Sequence, residues 1–309
     1  MMEVIIETTE ELNQEYANAI KQTLVKEIND RFSSQLKLND LDKIVASLNF
    51  GVSLNQFQEE NGLPVEHTND KLAQAVAKTL HLRKDNQVKS VIFIRLELIL
   101  EMFLEENTGY GYHFLHHELC HVHDDWNKEY LMKDFIDQYR KDTGSELQNI
   151  LLRHSMTIWS EYIAVRLSSE SYPRKEFDFF IPHLFNLIRR AKEEIPNEID
   201  NYRFNGDINK LFIRAQELIN PVMKFTATVL GYIHGLNINN EAILDGLDNT
   251  FIIDIWTQLD KEFNRLFNSY PDWESIDQFD ILNSLILSVL NDFGIYPEDT
   301  SVGLYISVP

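Results

Sequence analysis

The chain has 309 residues, 44% of them hydrophobic and 25% charged, which is ample for a buried core and argues against long disordered stretches. Its formal net charge of −21 repels phosphate backbones and anionic lipid headgroups, so neither nucleic acid nor a membrane surface is an expected partner. A single cysteine, Cys120, excludes an intrachain disulfide. The start carries no basic, apolar leader, and the most apolar window, Val91 to Leu104, is broken by Arg95, Glu97 and Glu101, so the expected location is cytoplasmic.

In chain order, Thr8-Thr9-Glu10-Glu11 has capping-box spacing and opens a helical pattern running to about Arg31. Ile44, Ala46, Leu48 and Phe50 alternate with Val45, Ser47 and Asn49, a period of two that predicts a strand closed by Gly51. Asn69 is placed to cap a helix carrying Leu72, Ala75, Val76 and Leu80. Lys89 to Ile94 is rich in β-branched residues and reads as a second strand, after which Leu96, Ile99, Leu100, Phe103 and Leu104 switch to helical spacing.

A turn at Asn107-Thr108-Gly109-Tyr110-Gly111 leads into a histidine-rich helix, His113 to Asp125. The remainder reads almost wholly helical. The expected helices are Leu131 to Tyr139, Ser145 to about Ser168, Pro182 to Lys192 ending before Pro196, Ile208 to His234 kinked or split at Pro221, Phe251 to Phe267 and Ile276 to Phe293. Val302 to Val308 closes the chain as a short strand. The fold class is α+β, with a mixed first part in residues 1–172 and a helical region in residues 173–309 that packs on or beside a cleft.

The chemistry concentrates in His117-Glu118-Leu119-Cys120-His121. On a helix, His117 and His121 share one face about 6 Å apart along the axis, close enough for both imidazoles to reach one Zn²⁺. Glu118 lies beside that face, where a carboxylate serves as general base toward a metal-bound water; this is the H-E-x-x-H pattern. Five of the ten histidines fall within residues 113–123, and Leu119 and Val122 supply an apolar flank that turns the histidine face toward a cleft.

A zinc site needs a third protein ligand. His123 points away from the His117/His121 face. His113 is on that face but about 12 Å from His121 on a straight helix, so it lines the cleft instead. The metzincin pattern fails, because its next Gly and His positions hold Asp124 and Asn127. A peptide deformylase pattern fails because no cysteine precedes the motif. Glu146 sits three residues after Thr143 and reads as a helix-capping partner. Glu161 is the better ligand: it stands in the mostly apolar run Trp159-Ser160-Glu161-Tyr162-Ile163-Ala164-Val165, where a half-buried carboxylate needs a partner, either a metal or a cation such as Arg153 or Arg166.

His117-Glu118-Leu119-Cys120-His121 with the downstream Glu161-Tyr162-Ile163-Ala164 resembles the gluzincin branch of the zincin metallopeptidases, over about residues 40–170. The resemblance implies a zincin-like core holding one zinc ion through His117, His121 and Glu161. It also implies a small sheet before the active-site helix, whose edge strand would hold an extended substrate; Lys89 to Ile94 is the expected edge. The chain departs from the pattern at Val165, where many relatives carry an Asp, so support for a ligating histidine falls to Asp124 or Asp125. The expected activity is zinc-dependent hydrolysis of peptide or protein substrates, with Glu118 as general base. The donor to the oxyanion is open among Tyr162, His154, Tyr110, Tyr112 and His123. The competing readings are a metal-binding regulatory or partner-binding protein without peptidase activity, and a structural helical protein with a chance motif.

Overall fold

The computed structural model describes residues 2–7, 14–63, 69–70, 73–84, 87–104, 109–140, 145–172, 177, 180–248 and 250–309. The chain is α+β and divides into two compact units: Met1–Asn127 with Leu167–Pro173, and Lys128–Arg166 with Arg174–Pro309. The expected cap at Thr8-Thr9-Glu10-Glu11, residues 107–108 of the expected turn and residues 143–144 of the second expected cap lie outside the described residues. Among the described residues no helix is long and apolar enough to cross a membrane.

The first unit is built on one sheet. Strands β1 (Glu3–Ile6), β2 (Leu41–Ser47), β5 (Ala77–Lys84) and β6 (Gln87–Arg95) lie in the order β1-β2-β6-β5. β1, β2 and β6 are parallel, and β5 pairs antiparallel with β6 at the edge. A parallel pair needs a crossover. Helix α1 (Gln14–Glu27, extended by a π-turn over Ile28–Phe32) separates β1 from β2, and α2 (Phe50–Glu60) lies between β2 and the two-residue strands β3 (Asn69–Asp70) and β4 (Ala73–Gln74). Val45, Phe50, Leu54, Leu80, Val91 and Phe93 form one core cluster, while Ile44, Ala46, Ile92 and Ile94, at alternate positions, are fully buried as well. Both faces are therefore covered, as a largely parallel sheet requires.

Three expectations are corrected here. Lys89 to Ile94 is strand, but it lies inside the sheet between β2 and β5 and not at the edge. The edge strand beside it is β5, in a stretch expected to end a helix. Leu72, Ala75, Val76 and Leu80 fit helical spacing, but eight consecutive ladder partners on β6, from Ala77↔Ile94 to Lys84↔Gln87, override that weak local preference. Gly51 does not close a strand; it lies in the first turn of α2.

α3 (Leu96–Glu101) follows β6, and α4 (Tyr110–Arg140) is continuous through what the sequence suggested were two helices. The second unit holds the rest of α4 and most of α5 (Glu146–Ser168), then α6 (Phe180–Asn205), α7 (Ile208–Leu236), α8 (Glu241–Leu247), α9 (Ile253–Ser269), α10 (Asp280–Asp292) and the closing hairpin β7 (Tyr296–Thr300) with β8 (Gly303–Ser307). Pro196 does not stop α6, and Pro221 does not split α7. Both prolines are exposed, so the carbonyl that each leaves without an amide partner can be solvated on the outer face.

Candidate metal centre

α4 begins on a carboxylate. Glu101 of α3 accepts from Gly109 N–H at 3.1 Å and from Gly111 N–H at 2.6 Å, which satisfies two amides at the start of α4 and places a negative charge at the positive end of the helix dipole. Gly111 is required there, because a Cβ would stand 1.9 Å from the Leu98 carbonyl oxygen and 2.8 Å from Glu101 Oε2. The next two turns bury Leu115, Leu119, Cys120 and Val122 completely. That apolar stripe fixes the rotation of the helix and leaves His117 and His121 half-buried on another face.

The two imidazoles converge. His117 Nε2 and His121 Nε2 are 3.0 Å apart, with ring planes at 88°. At that distance at most one of the two nitrogens carries a proton. Glu118, buried at 6% exposure, accepts at Oε2 from the Thr79 hydroxyl of β5 at 2.6 Å. One turn or two later, Asp125 Oδ2 lies 2.9 Å from His81 Nε2, again on β5. Thr79 and His81 alternate with Leu80 and Leu82, which belong to the sheet's core cluster, so a single strand buries one face and engages α4 with the other.

Asp125, His123 and His113, other sequence candidates on α4, each meet a partner outside the His117/His121 pair. Asp125 is taken up by His81, and Asp124 is fully buried beside Cys120. Burial first, then the charges of Asp124 and Glu118, push the Cys120 thiol well above its ordinary pKa, which makes it a packing residue. His123 accepts from the Lys37 backbone N–H at Nδ1 (2.8 Å) and lies 3.1 Å from Asn127 Nδ2 at Nε2; burial and Lys37 lower its pKa to about 4. His113 and His116 both place Nδ1 3.1 Å from Ser171 Oγ, whose own proton goes to the Ser168 carbonyl at 2.6 Å. The serine then accepts from both rings, which places a proton on each Nδ1. Burial lowers His113, with help from His116, to about 3, and lowers His116 to about 4. Tyr112 packs on Phe32, and Tyr110 on Tyr172.

On α5, Glu161 has its Oε1 2.8 Å from Lys224 Nζ of α7, a partner the sequence did not suggest; the expected cations were Arg153 and Arg166. Arg166 instead donates to the Tyr162 hydroxyl and to Asn264 Oδ1. Tyr162 lies 2.7 Å from His234 Nδ1, and His234 Nε2 lies 2.7 Å from Asp260 Oδ1. The phenol is fully buried and stacked on Phe263, and burial raises its pKa to about 12. His154 is 2.9 Å from Gln216 Oε1, and burial lowers its pKa. α5 can lie this close to α7 because Gly231 has no Cβ; one would stand 2.9 Å from the Tyr162 carbonyl and from Val165 Cβ. The helix is capped by Ser145, which accepts from Gln148 N–H, and by Asp299 of β7, which accepts from Leu147 N–H.

His117, His121 and Glu161 each offer one ligand atom, and the three atoms all lie within 4.8 Å of one another. The donor set fits a divalent cation of borderline softness, with two imidazole nitrogens and one carboxylate oxygen. Tetrahedral coordination at ~2.1 Å places ligand nitrogens about 3.4 Å apart, so the imidazole pair needs only a few tenths of an ångström of opening. Sequence reasoning missed Thr79, His81, Glu101 and Lys224. The alternation Thr79-Leu80-His81-Leu82 is the signal that could have found the first two. No protein-family model matches the chain, and comparison with curated proteins and with solved structures finds no match either.

Proposed function

We propose that this chain is a zinc-dependent hydrolase, and in particular a peptidase with a zincin-like core. The observation that carries the reading is the grouping of His117, His121 and Glu161. The edge strand β5, which contacts the helix of the motif through Thr79 and His81, supports the zincin-like core. Two histidines and a glutamate form a three-ligand set that leaves a coordination position for water or substrate. Zinc, when bound, supplies a Lewis acid that polarises a carbonyl and makes water acidic enough to attack near neutral pH.

The other roles fall to the chain. Thr79 holds one oxygen of Glu118 and so orients the carboxylate. Glu118 takes the proton of the attacking water and returns it to the leaving amine. Its burial keeps bulk water from competing for that proton.

Elemental analysis of the purified protein should find about one zinc per chain. Glu118→Gln should keep the metal and abolish cleavage of a peptide library that the wild type cuts. A wild type that neither contains nor binds zinc would refute the reading. A zinc-loaded wild type that cuts no member of the library would refute the peptidase and leave the metal-binding regulator.

A further inference from the structure

Glu161 is contested. Its Oε1 lies 2.8 Å from the Lys224 ammonium, and the same carboxylate belongs to the group that could hold a metal ion. The lysine side chain is 46% exposed and the glutamate 18%, so the pair stands at the edge of a partly solvated space and not within the core. Lys224 is two turns from Gly231, at the point where α7 closes on α5, so backbone packing brings the ammonium to this carboxylate.

Two consequences of opposite sign follow. The pair restrains the rotamer of Glu161, which favours metal binding by reducing the ordering still to be done. It also holds a positive charge against a metal ligand, which draws charge off the carboxylate and repels a divalent cation a few ångströms away. The ion pair itself is partly solvated and therefore weak, so the restraint is small. The repulsion acts on a double charge, so the second effect wins.

Resting on the metal-site reading above, we propose that Lys224 acts on the metal through Glu161 and weakens the site: its charge lowers affinity for the cation while leaving that cation more electron-poor. Metal loading then means sharing or exchanging the Glu161 carboxylate with the lysine.

The test is competitive titration of Zn²⁺ against a chromophoric chelator, with the whole chain as wild type, Lys224→Met and Lys224→Arg. Lys224→Met keeps the length and removes the charge, and it should bind Zn²⁺ about tenfold more tightly; Lys224→Arg should return affinity to near the wild-type value. Damage to the fold can only weaken the metal, so a gain is diagnostic. Co²⁺ in place of Zn²⁺ gives a second readout, with the visible bands shifting in Lys224→Met and returning in Lys224→Arg. Unchanged or weaker affinity in Lys224→Met would overturn the inference while leaving the metal site in place. A wild type with no Zn²⁺ affinity would overturn the site reading itself, and this inference with it.

Discussion

Gly111→Ala tests the account of how the motif helix is set in place. The new methyl would stand 1.9 Å from the Leu98 carbonyl oxygen, well inside an ordinary carbon–oxygen contact of about 3.3 Å. The obstacle is backbone, so α3 and the start of α4 must separate. That separation breaks the bonds from Gly109 and Gly111 to Glu101, which are 3.1 and 2.6 Å long. Hydrogen bonds to a charged group contribute roughly 1.5–3 kcal/mol each, so the loss is about 3–6 kcal/mol before any relaxation. Against a typical total of roughly 5–15 kcal/mol, that is enough to unfold a large fraction of the first unit under mild denaturant. Urea denaturation followed by far-ultraviolet circular dichroism reads the difference. Gly51→Ala is the control, because it meets nothing within 4 Å in α2 and should be neutral or stabilise by about 0.5–1 kcal/mol. If Gly111→Ala unfolds within about 0.5 kcal/mol of wild type, the Glu101 clamp does not set α4.

Thr79→Val keeps the shape of the edge-strand side chain and removes its donation to buried Glu118; it should destabilise by roughly 1.5–3 kcal/mol, and a change below about 0.5 kcal/mol would mean that water replaces the bond. His113, His116 and His123 have native pKa values of about 3, 4 and 4 against an unfolded value near 6.5, so the unfolded chain binds more protons as pH falls below 6.5. Their contribution is complete above about pH 6.5 and declines toward pH 4, so the urea midpoint should fall between pH 7 and pH 5. His123→Gln should reduce that slope by about one proton, and a flat midpoint over this range would contradict the burial of all three rings.

The sequence by itself determined what depends on near neighbours. His117, Glu118 and His121 are placed by the pitch of one helix, and the apolar stripe of Leu115, Leu119 and Val122 decides which face they share. Glu161 was legible as an acid in an apolar run that had to find a partner. Helix geometry separates His113 and His123 from the His117/His121 pair, and in the structure they meet Ser171 and Lys37.

Only the tertiary structure decided which partners met these groups. Residues 77–84 have a local pattern compatible with helix, and their identity as the edge strand comes from pairing with β6. Pro196 and Pro221 remain inside helices because each faces solvent, which depends on where α6 and α7 bury their other sides. Lys224 is 63 positions from Glu161 along the chain, and no period or spacing links them. Their meeting follows from the close packing that Gly231 permits between α5 and α7. Local periodicity assigns a side chain to a face, whereas the group that face meets is set by contacts distant in sequence.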